Sequence, residues 1–396
     1  MPFSDEGVGY GISRIIANDL LQSGVFKPIA ITHLPENPNN INEVEFLKWK
    51  SYADSLIVGH VTKIYETTTI QIELISVYKK VRLVKYKYSF SEEQLNNSMF
   101  VRKVAHKFSD MIFKKLTGLR GIFTTKLAYV SVTKTKKGRV YSLDISGVDG
   151  LDTQSVFKSR KSIMSPSWTP DGNSITFVSF ENDKAEIWQI NLLNRKRRKI
   201  FSFRGNASSP SWSASGDKLA VTLVRKGNSD IYVLDLKAKK FYRFTKHKSV
   251  DTEATWSPDE KYIYFLSNRN GQPQIYRKSF ENNKVGAIKK ITAKGSYNTS
   301  PDVSSDNKYL AFLHRTKGKY KIALQDLSSG KSRIISNTSF DEAPSFSPNG
   351  QMLVYASKTK QGLGVIAITN ILGKGHQIYS SNIKDVREPA WSPFLY

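Results

Sequence analysis

The chain has no cysteine among its 396 residues. This excludes disulfides, thiol nucleophiles and cysteine-ligated zinc, and it leaves the compartment open. No run approaches the ~20 consecutive apolar residues that a membrane-spanning helix needs. Met1-Pro2-Phe3-Ser4-Asp5-Glu6 has neither the basic start nor the apolar core of an export signal. The expectation is therefore either a cytosolic protein or a chain trimmed behind its signal. The nucleophile elbow Gly-x-Ser-x-Gly and the Gly-Lys-Ser/Thr phosphate loop are both missing, and Gly7-Val8-Gly9-Tyr10-Gly11 does not fit the dinucleotide fingerprint. The six histidines (His33, His60, His106, His247, His314 and His376) include no pair at metal-ligand spacing. No catalytic residue, metal or cofactor is expected.

Negative charge is scarce as well. Lys and Arg number 60 against 34 Asp and Glu, a net charge of +26. The first 120 residues hold 16 of those cations and 12 of the anions, so nearly all the excess lies beyond them. An excess of this size suits nucleic acid, anionic lipid, an envelope polymer or an acidic partner. However, Lys134-Thr135-Lys136-Lys137, Arg195-Lys196-Arg197-Arg198 and Lys237-Ala238-Lys239-Lys240 fall where strands should turn. No basic helix or aromatic-interleaved basic stripe appears, so solvated hairpins are the favoured reading and no nucleic acid is expected.

What is present in abundance is one short phrase. It reads Pro166-Ser167-Trp168-Thr169-Pro170-Asp171-Gly172, then Pro210-Ser211-Trp212, Ala254-Thr255-Trp256-Ser257-Pro258-Asp259, Pro301-Asp302-Val303, Pro344-Ser345-Phe346-Ser347-Pro348 and finally Pro389-Ala390-Trp391-Ser392-Pro393. The aromatic positions, with Val303 in the fourth copy, recur every 43 to 47 residues, the period of a four-stranded propeller blade. Within a copy, Pro166–Trp168 reads as the inner strand and Pro170-Asp171-Gly172 as its turn, followed by strands at 174–179, 186–192 and 198–201. The tryptophans should pack between neighbouring blades. Residues 123–161 supply three strands with no phrase before them, and the C-terminus supplies a phrase with no strands after it. Joined, they make a sixth blade that closes the ring.

The first 120 residues differ in texture. Apolar residues at helical spacing predict a helix over 11–21 stopped by Gly24, a weaker helix over 42–52, and strands at 55–61, 69–77 and 84–90. A last helix should start at Ser91-Glu92-Glu93-Gln94 and run to about Leu116, ended by Thr117-Gly118. The expected organisation is an N-terminal α/β domain over 1–120, with Gly118-Leu119-Arg120-Gly121 as hinge, and an all-β six-bladed propeller over 121–396 closed by its C-terminal strand.

The loops that feed the inner strands should emerge around one mouth of the channel. They contain His247, Lys248, Asp251, Thr252 and Glu253, then Ser300 and Asp302, then Asp341, Glu342 and Ala343, and Arg387 and Glu388. An acidic crown on a basic domain is a candidate docking surface; the alternative is that these side chains cap turns and strand ends locally. His247 is either a contact residue or an ordinary surface histidine.

These residues resemble the TolB family, the soluble component of the Tol-Pal system of Gram-negative bacteria. The resemblance rests on Ser165–Gly172, Thr252–Asp259, Asp302–Asp306, Asp341–Ser345, the hinge Lys115-Leu116-Thr117-Gly118 with Gly121 and Phe123, and Pro389–Pro393. It implies a periplasmic adaptor without enzymatic activity that acts as a monomer. It implies that the propeller binds the peptidoglycan-associated lipoprotein Pal through the crown, with Glu253, Asp302, Asp341, Glu342 and Glu388 as foremost contacts, in support of outer-membrane integrity and cell division. TolA would be engaged by an N-terminal segment. Met1-Pro2-Phe3 resembles the end of the family's first strand, so that segment maps to no residue here. Two rival expectations are the propeller module of a hydrolase or peptidase and a basic nucleic-acid- or envelope-polymer-binding protein.

Overall fold

The computed structural model describes residues 8–201, 205–293, 295–379 and 384–395. The chain divides into two compact units, Met1–Thr124 and Thr125–Tyr396.

The first unit is built on an antiparallel sheet of three strands, Ser55–Ile64, Thr67–Ser76 and Val81–Ser91, in that spatial order. Ile70, Ile72 and Leu74 of the central strand are fully buried and pack with Ile12, Ile16, Phe108 and Ile112 of helices Val8–Gln22 and Ser98–Thr117. Period-two and helical patterns thus meet in one core, as their spacing requires. Glu73 is buried on the same strand and draws Arg82 to 3.1 Å and Lys85 to 3.5 Å. Two expectations are corrected here. The helix over 42–52 is reduced to a 3₁₀ turn, Ile41–Glu43, and one short helix, Phe46–Trp49. The helix from Ser91 does open with a capping box between Ser91 and Gln94, but it stops at Asn96. Asn97 leaves the helical region and its side chain accepts the Phe100 N–H at 3.1 Å, so a second helix begins at once. Gly118, at φ 78°, ends it.

Among the described residues the second unit contains six four-stranded antiparallel sheets. Their first strands are Ile163–Trp168, Asn206–Trp212, Asp251–Trp256, Asn298–Val303, Glu342–Phe346 and Asp385–Trp391, numbered here as blades one to six. The sixth is composite: Asp385–Trp391 pairs with Lys126–Thr135, which is followed by Gly138–Gly147 and Gln154–Ser159. First strands contact one another from blade one to blade six, and blade six contacts blade one. They therefore line the axis of a β-propeller.

One hydrogen bond explains much of the recurring phrase. The hydroxyl after each aromatic position accepts the N–H that opens the next strand. Thr169 bonds Ser174, Ser213 bonds Lys218, Ser257 bonds Tyr262, Ser304 bonds Tyr309, Ser347 bonds Met352 and Ser392 bonds Lys126, all within 2.9–3.1 Å. The last of these fastens the C-terminal segment to the first propeller strand. Trp168, Trp256 and Trp391 are buried. The indoles of Trp168 and Trp212 donate to Ala390 and Thr176 of the preceding blade, both at 3.1 Å, so they do sit between blades.

Candidate functional site

Each first strand contains a β-bulge at the same place, where the pairing with its second strand shifts. The residue in the bulge has positive φ in all six: Ser165, Ser209, Glu253, Ser300, Ala343 and Glu388, at 48–53°. Left-handed backbone in a non-glycine residue is strained and is held there by its surroundings. Antiparallel blades place this end of the first strand beside the blade-to-blade loops and the second-to-third-strand turns. The six bulges therefore mark one mouth of the channel.

The crown residues meet at that mouth by reaching across blades. Glu253 accepts the Ser300 N–H at 2.7 Å and the Ser300 hydroxyl at 3.3 Å. Asp302 accepts the Phe346 N–H at 2.7 Å, one blade further on. Glu342 lies in the field of Arg387, and Arg387 itself is held by Asp385 at 2.5 and 2.9 Å. Glu388 accepts the Ser165 N–H at 2.5 Å, from blade six to blade one. Carboxylate hydrogen bonds thus join blade three to four, four to five and six to one around the axis, while the charge of Arg387 acts on Glu342 between five and six.

Burial raises the pKa of Glu253, Glu342 and Glu388 above the ordinary carboxylate value, although backbone or cationic partners pull each back. Burial pushes Asp302 up to about 7, even though hydrogen bonds from the N–H groups of Phe346 and Val303 pull it back. All four remain half-buried rather than sealed. A neighbouring cation would lower these pKa values, so the mouth is prepared to gain charge when a basic group approaches.

The remaining expected residues separate into two groups. Asp251 is fully buried and accepts two hydrogen bonds from Arg269 at 2.9 Å, while the guanidinium also lies 5.2 Å from the Tyr276 ring. Asp341 is 2% exposed and takes hydroxyls from Ser336, Thr338 and Ser357. These two carboxylates hold loops in place. Thr252 meets Thr222 at 3.1 Å, and His247 is tied to the adjoining hairpin through Asn228 and Asp230. Lys248 is exposed beside it, and Ala343 occupies the bulge of blade five. Sequence reasoning missed Ser165, the acceptor's partner on blade one. Its alignment with Glu253 and Ser300 in the phrase was the available signal.

Among the described residues no group of three or more His, Asp or Glu could hold a metal ion. Ser109, His106 and Asp19 approach each other in the N-terminal unit, but the Ser109 hydroxyl donates to Asp19 at 2.6 Å and is fully buried. A cavity of about 500 Å³ in the same unit is lined chiefly by Leu20, Phe26, Trp49, Tyr52 and Leu56, and none of the expected site residues reaches it.

Comparison with known proteins places these features. Residues 113–395 match the TolB beta propeller domain and residues 1–83 match the TolB amino-terminal domain. The Tol-Pal system protein TolB of Hydrogenovibrio crunogenus is 41% identical over 97% of this chain and 87% of its own length. That of Pseudomonas aeruginosa is 39% identical over 100% of this chain and 91% of its own. The crystal structure of TolB from Acinetobacter baumannii superposes with a TM-score of 0.89 at 34% identity, covering 100% of this chain and 96% of that one. A two-unit chain with six bulged, cross-linked blades and homology along its whole length belongs to the TolB family, whose members are Tol-Pal system proteins.

Proposed function

We propose that the chain is a non-enzymatic periplasmic adaptor whose propeller mouth docks the peptidoglycan-associated lipoprotein Pal, in support of outer-membrane integrity and cell division. The observation that carries this reading is the partly accessible carboxylate ring of Glu253, Asp302, Glu342 and Glu388, set in a family named for the Tol-Pal system. Occupying a Pal surface otherwise used on peptidoglycan would make the adaptor a competitor, and hand-over requires two states of differing affinity. Control of those states would fall to TolA acting on an N-terminal segment, with the adaptor itself monomeric. Asp251 and Asp341 shape the loops; His247, Lys248, Thr252, Ser300, Ala343 and Arg387 frame the mouth.

Calorimetric titration with the soluble domain of the same species' Pal tests the proposal. Saturable one-to-one binding that falls at least about tenfold in Glu342→Lys is expected, since a like-charge clash at a docking surface costs that much or more. Absence of binding by the folded wild type would refute it.

A further inference from the structure

The cations of the propeller are not spread evenly over the mouth end. The hairpin between the second and third strands of blade four carries Arg315, Lys317 and Lys319, that of blade five Lys358 and Lys360, and that of blade six Lys134, Lys136, Lys137 and Arg139. All nine are exposed. The three turns, 314–321, 358–363 and 133–139, contain no Asp or Glu. Several other cations at this end are neutralised: Lys161 by Asp183, Lys184 by Glu186, Arg269 by Asp251, Lys384 by Asp144 and Arg387 by Asp385, whereas Arg225 and Lys226 in the blade-two hairpin and Lys246 and Lys248 in the loop after it are exposed as well, in smaller number than in the arc. Among the described residues none of the nine is so paired.

Blades four, five and six are consecutive in the ring, so the three hairpins form one continuous arc. Phe340 projects within it, 55% exposed, its backbone bridged to Tyr320 between the hairpins of blades four and five.

Seven of the nine cations are lysines, hydrated point charges suited to a diffuse anionic layer rather than to the bidentate grip that arginine gives a discrete ligand. An exposed aromatic flanked by lysines is the composition of a segment that rests at a membrane–water interface. We propose that this arc lies against a phosphate-bearing anionic bilayer. The inference is independent of the docking of Pal at the carboxylate ring, although both use the same end of the propeller.

The test is sedimentation of the full chain with phosphatidylcholine vesicles, with and without phosphatidylglycerol. Each cation near an anionic surface contributes about fivefold to partitioning. The wild type should bind only the phosphatidylglycerol vesicles and should be released by salt. Reversal of one cation per hairpin, Lys136→Glu/Lys317→Glu/Lys360→Glu, should lower binding at least about tenfold. The matched variant Lys196→Glu/Lys239→Glu/Lys284→Glu, at third-to-fourth-strand turns of the opposite end, should stay within about twofold. If the first variant melts early, its Lys→Gln counterpart replaces it. Equal loss in both variants would make the attraction one of bulk charge and overturn the arc. So would absence of binding by the wild type, salt-resistant binding, or loss of Pal binding in the arc variant with vesicle binding intact; the last would assign the arc to a protein partner.

Discussion

The carboxylate of Glu388, eight residues from the C-terminus, accepts the backbone N–H of Ser165 at 2.5 Å, joining the two blades at which the ring closes. Both residues sit in equivalent bulges with φ near 50°. The bond satisfies a strained backbone while leaving the rest of the carboxylate at the mouth.

Removing it strands a partly buried N–H. Glu388→Ala should lower the unfolding free energy by about 1–3 kcal/mol, and Glu388→Gln, which keeps an acceptor, by under about 1 kcal/mol. Urea denaturation of the two variants would check the order, and equal losses would show that the bond is incidental.

Asp302 governs a pH dependence. Its carboxyl is held up to about 7 by burial, so the folded chain keeps a proton that the unfolded chain releases above the ordinary carboxylate range. Stability contributed by this group is therefore fully present at low pH, is lost as the pH rises to about 7, and is level beyond, with a limiting slope of about 1.4 kcal/mol per unit. Asp302→Asn should flatten the fall and leave the protein more stable than wild type above pH ~7. Thermal melts across the range would show it; parallel curves would refute the assignment.

Asp251 and Arg269 are a pair whose members cannot be removed singly without penalty. Arg269→Ala leaves a fully buried carboxylate uncompensated and should cost about 3 kcal/mol or more. Asp251→Asn/Arg269→Met should recover much of that loss. A double-mutant cycle by denaturation measures the coupling, and additive losses would contradict it.

The C-terminal strand should be indispensable. Deleting Trp391–Tyr396 removes the 5%-exposed indole, its bond to Thr125 at 2.8 Å and the Ser392–Lys126 bond. Loss of a buried tryptophan alone costs about 3–5 kcal/mol. The truncated chain should aggregate or melt far earlier; an unchanged melting point would disprove the role of closure.

The blades were legible because each carries its own local signal: alternation in the strands, a hydroxyl-closed turn, and an aromatic at a fixed place. Val303 and Phe346 could be aligned with the tryptophans because the hydroxyl at Ser304 and Ser347 persists when the indole does not. The break at Asn97 was not legible, since Asn is compatible with a helix interior until its side chain finds a free N–H. The acidic crown was read as a set, yet its members differ. Asp341 is closed off by hydroxyls from neighbouring strand and loop, and Asp251 by Arg269 eighteen positions away. Those partners belong to tertiary structure, and a loop's composition does not announce them. The positive φ at six bulges was equally hidden, because Ser, Ala and Glu at those places have no preference for the left-handed region.

The pairing of Asp385–Trp391 with Lys126–Thr135 also sets an order of events. A chain made from its N-terminus exposes Lys126–Thr135 early, yet the strand that covers its edge follows only after the five intervening blades. Five blades can form from neighbours in sequence, whereas the sixth waits for Asp385–Trp391. Until then the nascent propeller is an open arc with an uncovered strand edge, the feature through which sheets recruit one another. The long wait makes the arrival of Asp385–Trp391, rather than any earlier blade, the step that closes the ring.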